Sequence, residues 1–441
     1  MIDESLKDKT CKALSGAEKV RSFQRKIYQK AKQEEEFRFY IMYDKIYLQN
    51  FLIEAWKRVK ANKGVPGYDK VAFSEIEEYG VENYLQELAE ELRAENYKPQ
   101  PVLRVYVPKA NGKMRPLGIP TIRDRIVQMS CKMVIEPIFE ADFEDCSYGF
   151  RPKRSAKGAI TKIKSNLKRG KTKVYDADLS GFFDNIPHDK LLILLEKRIS
   201  DKRVITLIKR WLRCSIFEDN KLRKSRKGTP QGGVISPLLA NIYLNLIDKA
   251  VTRINGHFHK YGIAIIRYAD DFILMGNKLP EKALAYLKKM LEKMELDINS
   301  EKTKQIDAVR ESFDFLGFSF RYDRGIFGGK GSYWNVIPSK KSELKIRENL
   351  RQAFRKNRHQ NNESIVRILN PKIRGWLNYF SITKVSYLSK SKGNLHWYLD
   401  ESLYRFYQHK SQRKCKLYRR RAFDFLVQKY GLINPVKYSF N

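Results

Sequence analysis

The chain runs to 441 residues and carries 87 Lys and Arg against 50 Asp and Glu, a formal net charge of +37. Self-repulsion on that scale disfavours a compact state unless a polyanion is bound, yet apolar residues make up 42% and aromatic residues 12%, too many for a disordered basic tail. A folded protein of two or three domains that binds nucleic acid is expected, with no membrane span, since no run of about 18 apolar residues occurs.

Residues 1–60 read as helical, with Tyr40, Tyr43, Ile46, Tyr47 and Phe51 at helical spacing as core packing. The first residues, Met1-Ile2-Asp3-Glu4-Ser5, have no basic stretch before an apolar one, so a signal peptide is not expected. Pro101 to Val107 is β-branched and aromatic, and an Asn111-Gly112 turn leads to Arg115 through Pro120. That pattern predicts a β-hairpin with basic residues on both arms. Lys173 to Leu179 predicts a strand and Ser236 to Ala250 a buried helix, while Gly262 to Met275 predicts two short strands meeting at Asp270-Asp271. Leu284, Leu287, Leu291 and Met294 mark the apolar face of a further helix.

Near residues 320–340 the composition turns glycine-rich and then basic, which predicts a domain boundary. From Arg321 to Asn441 there are 27 Lys and Arg against 7 Asp and Glu, more than half of the total excess in a minor part of the chain. One basic run is as readily a solvated face. A surplus of this size, interleaved with Tyr, Phe and Trp, favours a surface for a nucleic-acid backbone. It is densest at Arg413, Lys414, Lys416, Arg419, Arg420 and Arg421. The five cysteines, at 11, 131, 146, 214 and 415, include no C-x2-C pair. Neither a zinc site nor a disulfide framework is expected, and reduced thiols fit a cytoplasmic protein.

Two acidic stretches carry chemistry: Asp176-Ala177-Asp178 through Asp184, and Tyr268-Ala269-Asp270-Asp271 between apolar strands. Neighbouring residues on a flat strand face opposite ways, but at a hairpin tip both can reach one point. Carboxylates beside apolar strands are costly without a cation, and Mg²⁺ is the expected one. An Asp-Asp pair alone is most often a surface turn. Following another strand that ends in Asp178, it can complete a site for two metals roughly 4 Å apart, as phosphoryl transfer requires.

The chain resembles the reverse transcriptase/maturase family encoded by bacterial group II introns. Six motifs stand in family order: Arg115-Pro-Leu-Gly-Ile-Pro120, Tyr148-Gly-Phe-Arg-Pro152, Asp178 to Asp184, Gly228-Thr-Pro-Gln-Gly-Gly-Val-Ile-Ser-Pro237, Tyr268 to Asp271, and Phe313-Asp-Phe-Leu-Gly-Phe318. The resemblance implies an α/β (α+β) right-hand polymerase, with fingers and an antiparallel-sheet palm followed by an α-helical thumb, the maturase domain X. Residues 1–170 would hold an N-terminal extension, the fingers and the start of the palm. Residues 171–320 would form the palm, and residues 321–441 the thumb.

By the same resemblance Asp178, Asp270 and Asp271 would form the catalytic site and bind two Mg²⁺ ions. Phe183 would exclude a ribose 2′-OH, and Gln231 would line the nucleotide pocket, with Gly232 and Gly233 letting backbone approach the template. Lys109 and Arg115 would clamp the triphosphate, and Lys302 would stand near the leaving pyrophosphate. Arg374, in Pro371 to Phe380, would contact RNA together with the 413–421 cluster, while Trp376, Tyr379 and Phe380 read as core. The implied partners are group II intron RNA, an RNA template with DNA primer or target DNA, and dNTPs. The 26 residues after Cys415 contain no cysteine or histidine, which resembles the compact, endonuclease-lacking type of the class C introns. Two alternatives stay open: an RNA-binding maturase without polymerase activity, and a domesticated relative serving defence or repair.

Overall fold

The computed structural model describes residues 15–108, 112, 114–224, 227–324, 331–410, 417 and 421–439. Among these described residues the strands are β1 (Val102–Pro108), β2 (Met114–Ile119), β3 (Lys173–Ala177), β4 (Ser215–Glu218), β5 (Lys221–Lys224), β6 (Ala264–Tyr268), β7 (Asp271–Gly276), β8 (Lys304–Asp307), β9 (Phe313–Phe315), β10 (Phe318–Arg324) and β11 (Ser332–Pro338). They form three sheets, ordered β2-β1-β4-β5, β6-β7-β3-β8 and β11-β10-β9. The architecture is mixed α/β.

The β6-β7-β3-β8 sheet is antiparallel throughout and buried on both faces. Side chains alternate along a strand, so Phe272 and Leu274 enter one core while Ile273 and Met275 enter the other. Ile265 and Ile266 divide in the same way. A sheet covered on both faces selects unbroken apolar runs rather than alternation, which accounts for Ile263 to Ile266 and Phe272 to Met275.

The first core belongs mainly to the N-terminal two thirds of the chain. Its central member is the helix Ile122–Asp142, which packs against the helices Gly16–Gln33 and Gln49–Ala61. Ser15 and Glu18 close a reciprocal cap at the start of the first of these. The expected aromatic stripe is only partly helical and partly core. Tyr43, Ile46 and Phe51 are buried, but Tyr40 precedes the helix and is 63% exposed.

The second core joins the far face of that sheet to the C-terminal helices Lys340–Lys356, Asn362–Phe380, Ser389–Gln408 and Ala422–Tyr430. Trp376 and Phe380 are buried in it, whereas Tyr379 is 40% exposed and donates its hydroxyl to the Leu316 carbonyl. Strand β10 runs across position 320, and it pairs with both β9 and β11. The predicted hairpin is β1–β2, with Arg115 opposite Val107. Among the described residues no helix is long and apolar enough to cross a membrane. Cys131, Cys146 and Cys214 are free thiols, and burial raises all three.

Candidate active site

Strands β6 and β7 end in a two-residue turn, Ala269-Asp270, closed by the Tyr268–Asp271 pair. Ala269 adopts φ +59°, a left-handed conformation that costs a residue with a Cβ about 1 kcal/mol. The turn is held from beneath. Arg267 donates to the Ala269 carbonyl at 2.9 Å and to Asn241 Oδ1 at 2.8 Å. It also clamps Asp248 through Nε at 2.9 and 3.0 Å and Nη2 at 2.5 Å. Arg267 and Asp248 are fully buried, a costly arrangement unless every donor finds an acceptor. Asn241 in turn donates to the Gly149 carbonyl at 2.8 Å. A Cβ on Gly149 would collide with the backbone nitrogen of Ala269, so only glycine fits beneath the turn.

Asp178 follows β3 directly. Its carbonyl accepts from the Asn299 amide at 2.8 Å, and its amide lies 3.4 Å from Thr303 Oγ1. Next to it, the Ser180 amide donates to the Asp297 carbonyl at 2.9 Å. The loop at 297–303 therefore fixes one acidic wall while the 267–271 hairpin supplies the other. The same loop brings Lys302, whose ammonium lies 2.8 Å from Asp178 Oδ2 in an exposed ion pair. That hydrogen bond raises the Lys302 ammonium above its ordinary range.

The carboxylates sense one another. Crowding by the surrounding protein, then the charges of Asp270, Asp178 and Asp176, push Asp271 up to about 6, although its residue lies on the open side of the hairpin. Asp176 is pushed up to about 6 by burial first and by Asp178 second. Asp270 is raised by burial and Asp178, against the opposing pull of Arg115 and Arg267. Among the described residues no three His, Cys, Asp or Glu side chains converge as a closed metal cluster. The donor set nevertheless fits Mg²⁺, which takes one or two hard carboxylate oxygens and completes its shell with water and substrate phosphate. Mutual repulsion among these acids is what a divalent cation relieves.

Beside the acidic site, a polar chain joins the β1–β2 hairpin to Asp184. Arg115 Nε donates to Gln231 Oε1 at 3.1 Å, and Gln231 Nε2 donates to Asp184 Oδ2 at 3.1 Å. The loop carrying Gln231 is strapped to the 182–188 segment: the Thr229 amide donates to the Phe183 carbonyl at 2.7 Å and the Gly228 amide to that of Ile186 at 2.8 Å. Phe183 is half-buried, its ring 5.3 Å from that of Phe182 in an edge contact. Gly232 adopts φ +115°, and a Cβ there would collide with the Gly118 carbonyl. The close approach at this glycine is to the protein's own hairpin.

The structure thus gathers Asp178, Asp270, Asp271 and Lys302 into one electrostatic cluster, with Arg115, Gln231 and Phe183 in the adjoining strap. Lys109, Arg413, Lys414, Lys416, Arg419 and Arg420 lie outside the described residues. Arg374 and Arg421 are exposed on the C-terminal helical part. Sequence reasoning gave no role to Asp176, Arg267, Asp248 or Asn241. The signal for Arg267 was present, a lone charge closing the apolar run before Tyr268.

Comparison with known proteins gives the chain's family. Residues 107–320 match the family described as reverse transcriptase (RNA-dependent DNA polymerase), and residues 344–423 match the group II intron maturase-specific domain. Protein YkfC of Escherichia coli is 36% identical over 346 residues, covering 70% of this chain and 90% of that protein. The chain belongs to the group II intron-type reverse transcriptase/maturase family. The group II intron-encoded protein LtrA of Lactococcus lactis is 38% identical over 207 residues, 47% of this chain and 34% of the relative. A protein in the cob intron of Schizosaccharomyces pombe is 28% identical over 366 residues, 67% of this chain and 45% of the relative.

Proposed function

We propose that the protein is an RNA-directed DNA polymerase that extends a DNA primer on an RNA template, and that it also binds a group II intron RNA as a maturase. The observation that carries the polymerase reading is the pinned Ala269-Asp270 turn facing Asp178, with carboxylates close enough to raise one another. Asp178, Asp270 and Asp271 would hold two Mg²⁺ ions, which when bound neutralise the triphosphate and support in-line displacement. Arg115 would meet the triphosphate, oriented by Gln231, and the Phe183 ring would close the pocket against a 2′-OH. Lys302 would leave Asp178 for the departing pyrophosphate. Positioning and charge neutralisation are the whole of the protein's contribution in such chemistry.

In this reading the antiparallel β6-β7-β3-β8 sheet belongs to a palm over residues 171–320, residues 1–170 hold an N-terminal extension, the fingers and the start of the palm, and residues 321–441 make the thumb. Exposed Arg374 and Arg421 would contact RNA phosphates. The names of the intron-encoded relatives support an intron as the source of that RNA. Asp270→Asn tests the reading: primer extension on an RNA template with Mg²⁺ and dNTPs should be abolished while RNA affinity stays within a few-fold. Extension at the wild-type rate by that variant would remove the assignment.

A further inference from the structure

Away from the acidic site, the helices Lys340–Lys356 and Ser389–Gln408 flank an open groove of about 740 Å³. Arg347, Arg351 and Arg355 recur at every fourth position on one wall, and Arg358 follows the helix end. The other wall presents Trp397, Glu401 and Arg405. Five arginines against one carboxylate make the groove strongly cationic. The ion pairs of Arg351 with Glu348 and Arg405 with Glu401 are exposed and each is local to its own helix, so they hold the guanidinium groups weakly. Among the described residues Arg355 and Arg358 have no ion pair.

Trp397 is the anomaly. It is 65% exposed, whereas Trp56, Trp211, Trp334 and Trp376 are all buried. The core beneath is complete without it, since Leu350, Leu399 and Leu403 are fully buried and the Phe354 and Phe406 rings lie 5.4 Å apart. A large indole left in water among cations has the form of a platform for a base. Arginines one helical turn apart stand about 6 Å from each other along the axis, the order of the spacing between phosphates of an extended strand.

We propose that this groove binds single-stranded RNA, with one unpaired base stacked on Trp397 and the flanking phosphates on Arg351, Arg355 and Arg358. Duplex RNA keeps its bases hidden and offers Trp397 nothing to stack on. Ser402 and Glu401 also line the groove and offer oxygen acceptors to a 2′-hydroxyl, which favours RNA over DNA. The inference rests on the RNA-binding half of the proposed function and not on the polymerase half. Asp270→Asn, which should end extension, therefore leaves the groove intact.

The test uses the full chain and a twelve-residue oligouridylate, followed by intrinsic tryptophan emission. Quenching is expected in the wild type and in Asp270→Asn, and should vanish in Trp397→Phe, because the other indoles are shielded. Trp397→Leu should weaken binding, read by anisotropy of end-labelled oligouridylate, about tenfold. Arg355→Gln with Arg358→Gln should lower the salt slope of log affinity by about 1.4, the value for two single-strand phosphates. These substitutions are at the surface, and unchanged thermal melting verifies the fold. Unaltered quenching in Trp397→Phe, an unaltered salt slope, equal affinity for oligothymidylate, or equal competition by duplex RNA or polyglutamate would each overturn the proposal.

Discussion

Two ion pairs stand close to the same acidic turn and differ in almost everything else. Arg267 and Asp248 are wholly enclosed and joined by three short contacts, and Arg267 donates its remaining hydrogen bonds to Asn241 and Ala269. Lys302 and Asp178 meet through one contact, with 62% of the lysine and 31% of the aspartate side chain exposed. The first pair cannot exchange partners without leaving a buried charge, so it serves as a fixed support. The second sits in water, where an ion pair contributes about 0–1 kcal/mol, so either member is free to take another partner. A polymerase site needs both properties: carboxylates held to a geometry, and charges that rearrange when substrate arrives.

Asp248→Ala should have the largest effect on this contrast. Stranding the buried guanidinium should cost about 3–5 kcal/mol in urea unfolding. A double Asp248→Leu, Arg267→Leu variant should be more stable than either single variant and still fail at primer extension, which separates support of the turn from support of the fold. Asn241→Ala, which breaks the link to Gly149 and leaves one Arg267 donor unmatched, should cost about 1–3 kcal/mol.

The next effect depends on pH. Asp271 and Asp176 are raised to about 6 in the folded chain, whereas an unfolded aspartate titrates at about 4. Protons are thus held more tightly by the folded state, so ionisation withdraws stability as pH rises from about 4 to about 6, and the loss persists above. In chelator, Asp271→Asn should flatten the fall in melting temperature across that window and raise it by about 1–2 °C at pH 7.5. Lys302→Ala should be the mildest for stability, below about 1 kcal/mol, while slowing single-turnover extension. A stability loss as large as that of Asp248→Ala would erase the distinction between the pairs.

Motif residues were legible because their chemistry is local. Asp270 and Asp271 stand together at a predicted strand junction, and the Asn111-Gly112 turn announces the hairpin that carries Arg115. The supporting network was not legible, since Gly149, Asn241, Asp248 and Arg267 are brought together only by tertiary packing. Nor does an apolar run reveal that alternate residues serve two different cores. The reading of Tyr40 as core failed for a related reason: helical spacing was extended across Glu34 to Met42, where the chain leaves the helix. Trp397, by contrast, looks in sequence like any other helical aromatic, and only its exposure sets it apart.

The two-faced sheet has a consequence for modularity. The strands that end in the acidic turn contribute Ile266 and Ile273 to the same core as Leu350, Leu369 and Phe380 of the C-terminal helices. Severing the chain near residue 320 would strip that face and leave both fragments with raw apolar surface. The two activities proposed for this protein are therefore welded rather than tethered. Neither half can be lost, swapped or inherited alone unless the surface between them is rebuilt.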